Sequence, residues 1–568
     1  MDVDFWQGKR APGVLDNVAD YDDRSVLDVI ERAFTTHGNK PAFSALGETL
    51  SFQQLDQASA TFAAYVQQHT TLEPGDRIAL QMPSVLPYLV ALYGSLRAGL
   101  VIVNTNPLYT AREMQHQFSD SGARALVYMN MFGDKVEKVL PETHLEYLIE
   151  VSMGDMLPWL KGKLVNLAAK HVKKVVPRFT LPGAIQFNEV MQRGKPQVYS
   201  RPAKGPDDVA LLQYTGGTTG VAKGAMILHR NLVSQVYQLK ANEGALNRQG
   251  QLHAESGKQV IMCPLPLYHI YAFTVNCIAA FNSGNHSVLI TNPRDIDGFI
   301  KSLAKYRPTV LVGINTLFVS LMEHPGFAGL DFTRLRTTVS GGTALNKSVA
   351  ERWQELTSCP VSEGYGLTET SPTVCSNPID GQGRIGTIGL PVPGTALKVV
   401  DEENNELGVG EVGELCVKGP QVMAGYWQRP EATAETIRDG WLHTGDIARI
   451  EEDGYVSIVD RKKDMILVSG FNVFPNEIED VVTAHPKVEL CACVGVTDAK
   501  SGEVPKLFVV KSNDSLSEAE LKAYCRENLT GYKQPRHIEF RAELPMTAVG
   551  KVLRKDLRAE VATEAEPA

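Results

Sequence analysis

Short apolar runs, rich in β-branched residues, recur along the chain and end at Gly, Pro, Asn or Thr. The clearest are "RIALQMP" (77–83), "LVIVNTNP" (100–107), "ALVYM" (125–129), "VALLQYT" (209–215), "VIMCPLP" (260–266), "TVLVG" (309–313) and "TTVSGG" (337–342). Runs of this length without polar alternation predict strands buried on both faces. Helical spacing fills most intervals, so the pattern predicts an α/β class with parallel-rich sheets. The most apolar stretch, "YLVALYGSLRAGLVIV" (88–103), carries Arg97 and is broken by Gly94 and Gly99. It is shorter than the ~20 residues of a spanning helix and predicts a core helix running into a buried strand.

After about residue 385 the pattern changes. "IGLPVPGTALKVVDEENNELGVGEVGELCVKGP" is strand and turn with little helix, which predicts a β-rich subdomain over about 385–459. "DRKKD" (460–464) is a charged break. Beyond it, "LCACVGV" (490–496), "KLFVVK" (506–511), a helix at "SEAELKAYCREN" opened by a Ser/Glu cap, and "RHIEF" (536–540) predict a small α+β module. The expected boundaries are an N-terminal domain over 1–459, the charged break at 460–464 and a small C-terminal domain over 465–568.

Composition changes this picture little. Of 568 residues, 43% are hydrophobic and 21% charged, as in ordinary globular proteins. A net charge of −9 argues against a nucleic-acid-binding surface. The eight cysteines are scattered without a C-x-x-C pair, as expected of buried, reduced thiols. "MDVDFWQGKRAPG" has no apolar segment of a signal peptide, so a cytoplasmic location is expected.

The densest candidate chemistry is "YTGGTTGVAKGA" (214–225), a loop of glycines and hydroxyls with one lysine. Small residues let several backbone N–H groups converge on one anion, and phosphate is the obvious guest. The P-loop pattern G-x-x-x-x-G-K-[ST] fails here: Ala222 replaces its second glycine, Gly224 replaces its Ser/Thr, and "AMIL" follows where a helix should start. A helix start fits better at 229–231. A plain structural turn remains the alternative, though a mere turn needs neither the hydroxyls nor Lys223.

The loop resembles the phosphate loop of the adenylate-forming (acyl-CoA synthetase) superfamily. "EGYGLTET" (363–370) is similar to that family's second adenine and magnesium motif, and "LHTGD" (442–446) to its ribose motif. "DGWLHTGDIARIEEDGYVSIVDRKKDMILVSG" (439–470) resembles the signature of fatty acyl-CoA synthetases, and "LPMTAVGKVLRKDLR" (544–558) the segment carrying the catalytic lysine. The motifs stand in family order. "PLPLYHIYA" (264–272), "GFNVFPNEIE" (470–479) and "LTGYKQPR" (529–536) narrow the likeness to bacterial long-chain-fatty-acid–CoA ligases.

This resemblance implies a ligase using ATP, CoA and Mg²⁺ to turn a fatty acid into acyl-AMP and then a thioester. The ATP-binding residues implied are Tyr214, Thr215, Gly216, Gly217, Thr218, Thr219, Gly220 and Lys223 of the loop. Gly341, Gly342, Thr343, Gly364, Tyr365, Gly366, Leu367 and Thr368 would surround adenine, and Asp446 and Arg461 the ribose. Glu369 is the implied Mg²⁺ ligand, with Thr215. Lys551 would bridge the acyl carboxylate and the α-phosphate; Lys463 would be the hinge, and Gly470 and Phe471 would line the CoA path. His269 would border the acyl pocket, with Phe273 where one family pattern has a gating tryptophan. Taken singly, Tyr365 fits a core aromatic, Gly341–Thr343 a strand-to-helix turn, Glu369 a loop acid, Asp446 a turn residue, Lys551 a surface charge, 460–464 a solvated linker and His269 a core histidine.

Rivals within reach of the same motifs are an aryl- or shorter-acid CoA ligase, a carrier-loading adenylation domain, a luciferase-like oxygenase and a non-catalytic lipid-binding relative. Residues 155–179, "DMLPWLKGKLVNLAAKHVKKVVPRF", are basic in an acidic chain. Leu157, Leu160, Leu164, Ala168, Val172 and Val175 keep helical spacing, and Lys163, Lys170, Lys173 and Lys174 fall on another face. A surface helix packed on its own core is the plainer expectation; peripheral contact with anionic lipid, at the cytoplasmic face of the inner membrane, is the sharper one. Oligomeric state is left open, with a homodimer among the options.

Overall fold

The structure, a computed structural model, describes residues 3–18, 21–195, 197–215, 222–246, 253, 255–343, 345–379, 383–469, 471–498, 500–547 and 550–565. The apolar runs form the strands expected of them. A seven-stranded sheet runs in the order Ile185–Gln186, Tyr147–Val151, Ala123–Met129, Arg77–Gln81, Val101–Asn104, Val209–Thr215, Lys223–Leu228. All its pairings are parallel except the last. A nine-stranded sheet holds Pro41–Ala45, His286–Leu289, Val260–Cys263, Val310–Gly313, Thr337–Gly341 and Val361–Gly366 as a parallel centre, with antiparallel strands at both edges.

Leu86–Arg97 is buried along its whole length and packs against strands of both sheets. Arg97 is tolerated there because its guanidinium is spent on the Asp56 carbonyl (2.7 Å), the Ser59 hydroxyl (2.9 Å) and the Asp56 carboxylate. Gly94 is no break. It is the crossing point with the helix Phe52–His69, where a Cβ would lie 2.7 Å from Phe62.

The later part of the chain is β-rich, as its turn-dense pattern predicts. Ala396–Val400, Val412–Lys418, Ile437–Arg438, Trp441–Ile450 and Val456–Arg461 form an antiparallel sheet. Beyond it, Ile466–Val468, Phe471–Val473, Val488–Asp498, Gly502–Lys511 and His537–Arg541 form a fifth-strand-parallel sheet covered by the helices Pro475–Thr483, Glu518–Asn528 and Arg554–Ala565. Ser517 caps the second of these by accepting from the Glu520 N–H at 3.2 Å. The apolar clusters of this module share no residue with the larger body. All eight cysteines are buried and free. Among the described residues, no helix is long and apolar enough to cross a membrane.

Residues 155–179 differ from the plainer expectation. Trp159–Leu167 is helical and runs into a π-helical turn, Ala168–Val172. The side facing the body is small and polar, and the leucines are exposed.

Candidate active site

Val209–Thr215 and Lys223–Leu228 form a hairpin closed by the pairs Tyr214↔Gly224 and Thr215↔Lys223. The helix His229–Lys240 begins only after the second strand, which is why a P-loop could not form here. The tip, with Gly216, Gly217, Thr218, Thr219 and Gly220, lies outside the described residues. Tyr214 is committed elsewhere: its hydroxyl donates to Asp120 at 2.7 Å, and Arg429 pairs with the same carboxylate at 2.6 Å. Its ring lies over Gly224, where a Cβ would be 3.1 Å away. The tyrosine fixes the root of the loop, and its side chain is not free to meet a nucleotide.

The far edge of the second hairpin strand takes a third segment, 424–427. Ala424 N–H donates to Met226 (3.0 Å), Met226 to Gly425 (2.9 Å) and Trp427 to Gly224 (2.8 Å). This register brings Tyr426 beside the loop. Its hydroxyl donates to Glu369 Oε1 at 2.8 Å, and Lys223 Nζ lies 5.1 Å from its ring centroid. Glu369 stands on the turn Thr368–Thr370, which packs against both hairpin strands. Burial pushes its carboxyl up, and the Tyr426 bond only partly offsets this. Tyr426 escapes sequence reading because its place follows from a pairing some 200 residues long-range.

Beside this group, Gly341 and Gly364 are paired across parallel strands. A Cβ on Gly341 would meet the Tyr271 ring at 2.9 Å, and one on Gly366 would meet the Pro372 carbonyl oxygen at 1.9 Å. Gly342 has φ +88, which a side chain would strain. The Thr343 hydroxyl is buried without a partner among the described residues. Tyr365 donates to Asp446 Oδ2 at 2.6 Å. Asp446 faces Arg461 across an antiparallel pair, with Arg461 Nε 3.4 Å from Oδ1. Three separate motifs thus meet at one carboxylate.

Lys551 reaches this point from the C-terminal module. It sits in a turn closed by Thr547, with Gly550 at φ +78 and packed where a Cβ would strike Ile314 at 2.5 Å. Burial and the Arg461 guanidinium push Lys551 down to about 8, against the pull of Asp446. The linker is held from two sides. Lys462 pairs with Glu414 (3.1 Å) and donates its N–H to Gly445 (3.0 Å), both on the β-rich sheet. Asp464 pairs with Arg558 (2.6 Å) and Arg554 (3.3 Å) of the C-terminal helix, and Asp460 accepts from the Asn476 N–H at 2.7 Å. Lys463 lies between these anchors, and burial lowers it to about 8.

His269 Nδ1 accepts from the Tyr271 N–H at 3.3 Å, and burial pushes the imidazole down to about 4, so it is neutral at physiological pH. Through Tyr271 it abuts the Gly341 edge. Phe273 is buried in the main core and begins a π-helical turn, Phe273–Ala280. Gly470 lies outside the described residues; Phe471 is exposed and stacks on Tyr532 with centroids 4.7 Å apart. A cavity of about 280 Å³ opens beside Glu369 and Tyr426 and is closed opposite by His443, Thr444 and Lys462.

Among the described residues no three His, Cys, Asp or Glu side chains could hold a metal together. Glu369 offers a recessed carboxylate with one protein donor, and Thr215 a hydroxyl. These are hard oxygen donors of the kind that bind Mg²⁺ jointly with phosphates, so the residues fit that ion.

Known proteins resemble the chain in sequence and in fold. Residues 30–427 match the AMP-binding enzyme family and residues 477–551 the AMP-binding enzyme C-terminal domain. The chain is 52% identical over 537 residues to the long-chain-fatty-acid–CoA ligase of Salmonella typhimurium, covering 94% of each. Among solved structures, the anthranilate CoA ligase AuaEII with anthranoyl-AMP superposes with TM-score 0.84 at 25% identity, over 95% of this chain and 98% of that one. MatB from Rhodopseudomonas palustris, 28% identical, covers 95% of this chain and all of its own; it superposes at 0.80 with ATP bound and at 0.70 without nucleotide. Three motifs meeting at the Asp446 carboxylate, with Lys551 brought beside it from the C-terminal module, and a family match over most of the length, have one reading: the chain belongs to the AMP-binding enzyme family.

Proposed function

We propose that the protein is an AMP-forming ligase that joins a long-chain fatty acid to CoA, in the cytoplasm and in peripheral contact with the membrane. The observation that carries this is Lys551, delivered by the C-terminal module to the Asp446–Arg461 pair while Lys223, Glu369 and Tyr426 stand at the phosphate loop. In the first half-reaction a carboxylate oxygen attacks the α-phosphorus, and the bond to the bridging oxygen of pyrophosphate breaks. A carboxylate needs this because its own leaving group toward a thiol would be oxide. Lys551 holds the two anions together, Asp446 accepts from the ribose hydroxyls, and the loop with Lys223 grips the departing pyrophosphate. Glu369 and Thr215 would hold Mg²⁺, which would supply neutralisation of charge on the phosphates. In the second half-reaction the CoA sulfur attacks the acyl carbonyl, the bond to AMP breaks and the thiol proton is released. For this the C-terminal module turns about Lys463, which lies between Lys462, anchored to the β-rich sheet, and Asp464, anchored to the C-terminal helix, and brings the 470–471 turn to the CoA path. The acyl-CoA product feeds fatty-acid metabolism, β-oxidation included.

Initial rates of AMP formation with ATP, CoA and saturated acids of increasing length test the substrate. Rates should climb into the long-chain range, since each buried CH₂ is worth ~0.8 kcal/mol. A preference for aromatic acids, as in the feruloyl-CoA synthase of Amycolatopsis that is 32% identical over 514 residues, would overturn it.

Two smaller effects follow. Tyr426→Phe keeps the ring beside Lys223 and removes the donor to Glu369. Acid-dependent ATP–pyrophosphate exchange should fall about tenfold, with the half-saturating Mg²⁺ concentration raised and the melting temperature little changed. Lys551 acts charged, and its value near 8 lies below that of a free lysine. The charge is therefore present below about pH 8 and lost above it, so kcat/KM for ATP should fall as pH rises through that value.

A further inference from the structure

Residues 159–172 sit on the surface with their large apolar side chains turned the wrong way for a helix packed on its own core. What holds the helix down is small or polar. Gly162 approaches Gly154 so closely that a Cβ on it would lie 2.5 Å from the Gly154 carbonyl oxygen. Asn166 accepts from the Gly154 N–H at 2.7 Å, Ala169 is buried, and Lys161 is tied to the Leu46 carbonyl (2.8 Å) and to Glu48 (2.7 Å). The outer side carries Trp159, 72% exposed, Leu160, Leu164, Leu167 and, beyond them, Val172, 78% exposed. Six of the sixteen large apolar side chains exposed among the described residues fall within 159–175. Leu160, Leu164 and Leu167 recur at i, i+4 and i+7, a single stripe rather than scatter. Isolated exposed leucines need no explanation, but a contiguous stripe rimmed by charge does.

The segment itself carries charge of one sign, with Lys161 spent on Glu48. Between Asp155 and Glu189 no acidic residue occurs, while Lys161, Lys163, Lys170, Lys173, Lys174 and Arg178 do, in a chain of net charge −9. Lys163 Nζ lies 4.2 Å from the centroid of the Trp159 ring, the pairing of an aromatic and a cation that suits a headgroup boundary.

We propose that this helix is a docking element for an anionic phospholipid bilayer. The stripe enters the acyl boundary and the lysines meet lipid phosphates, as for other interfacial basic helices. A second copy of the chain suits the surface less, because a two-fold contact would set two lysine rims against each other. The proposal rests on the fatty-acid reading only for its benefit: the substrate dissolves in the bilayer, and docking brings the enzyme to it.

The test is co-flotation of the full chain with vesicles of phosphatidylcholine mixed with phosphatidylglycerol, beside vesicles of phosphatidylcholine alone. Quenching of tryptophan emission by brominated acyl chains gives depth. The wild type should float with the mixed vesicles, less so at high salt, and be quenched; Trp159→Phe should still float and lose the quenching. Replacing Lys163, Lys170, Lys173 and Lys174 together by Glu should lower the partition coefficient at least about tenfold. Leu164→Ser with Leu167→Ser should lower it as well, with melting temperature and ATP–pyrophosphate exchange on a water-soluble acid retained in both variants. Flotation unchanged by the four charge reversals, quenching that survives Trp159→Phe, or no flotation with a dimer that the serine pair dissociates would each overturn the proposal. None of these results depends on which acid is activated, so failure of the docking surface and failure of the fatty-acid assignment are told apart.

Discussion

Lys551→Ala should reduce acid-dependent ATP–pyrophosphate exchange by about 10²–10³-fold, a loss of ~3–4 kcal/mol of transition-state stabilisation. Thioester formation from supplied acyl-AMP should stay near the wild-type rate. The asymmetry follows from how the lysine is held. It stands on the C-terminal module, beside Arg461, and burial together with that guanidinium disfavours its charge. A lysine in such a place holds its charge less firmly until two anions arrive to stabilise it, which is the state in which a carboxylate meets the α-phosphate. On the proposed two-pose account, the module turns about Lys463 once AMP is to be displaced by a thiol, and the lysine leaves the reaction. Equal loss of both half-reactions would contradict the two-pose account.

Glu369→Gln should have an effect of similar size, at least about 10²-fold on exchange at saturating acid, without loss of stability. The substitution keeps shape and lets the Tyr426 hydroxyl donate as before. What it removes is a carboxylate whose charged form burial already opposes. The melting temperature should therefore hold or rise while activity falls, the opposite signs expected where a site is built for a ligand rather than for the fold. Glu369 held high and Lys551 held low describe the same preparation. Each is a charge that burial opposes, and each would be relieved by the proposed magnesium and nucleotide.

The fold was legible because a buried strand announces itself locally. "VALLQYT" begins and ends where the strand does, and "AMIL" after Lys223 correctly argued against the helix that a P-loop has there; a strand takes its place. Arg97 and Gly94, which look like blemishes in an apolar stretch, prove to be a buried hydrogen-bond hub and a helix crossing. The site was legible as motifs and not as geometry. Nothing local shows that segment 424–427 adds to the hairpin edge, so Tyr426 was missed, although an aromatic following Gly425 was a visible hint. Tyr271, pressed on Gly341, was passed over for its neighbour His269. Tyr214 shows the reverse: it sits inside the phosphate motif, yet its hydroxyl belongs to Asp120. The ionic cluster of Asp460, Asp464, Glu479 and Arg554 joins positions nearly 100 residues apart and leaves no periodic trace. In residues 155–179 spacing gave the helix but not which face is outward; Gly162 and Asn166, which hold it down, stand outside that apolar spacing.

The central claim is that the acid is activated as an acyl adenylate. The most direct measurement starts with a long-chain acid labelled with ¹⁸O in its carboxylate, incubated with ATP, Mg²⁺, CoA and the enzyme, followed by mass analysis of the nucleotide. Attack on the α-phosphorus leaves one labelled oxygen in AMP and none in pyrophosphate. Label in inorganic phosphate, with ADP as the nucleotide product, would mean an acyl phosphate and would contradict the account.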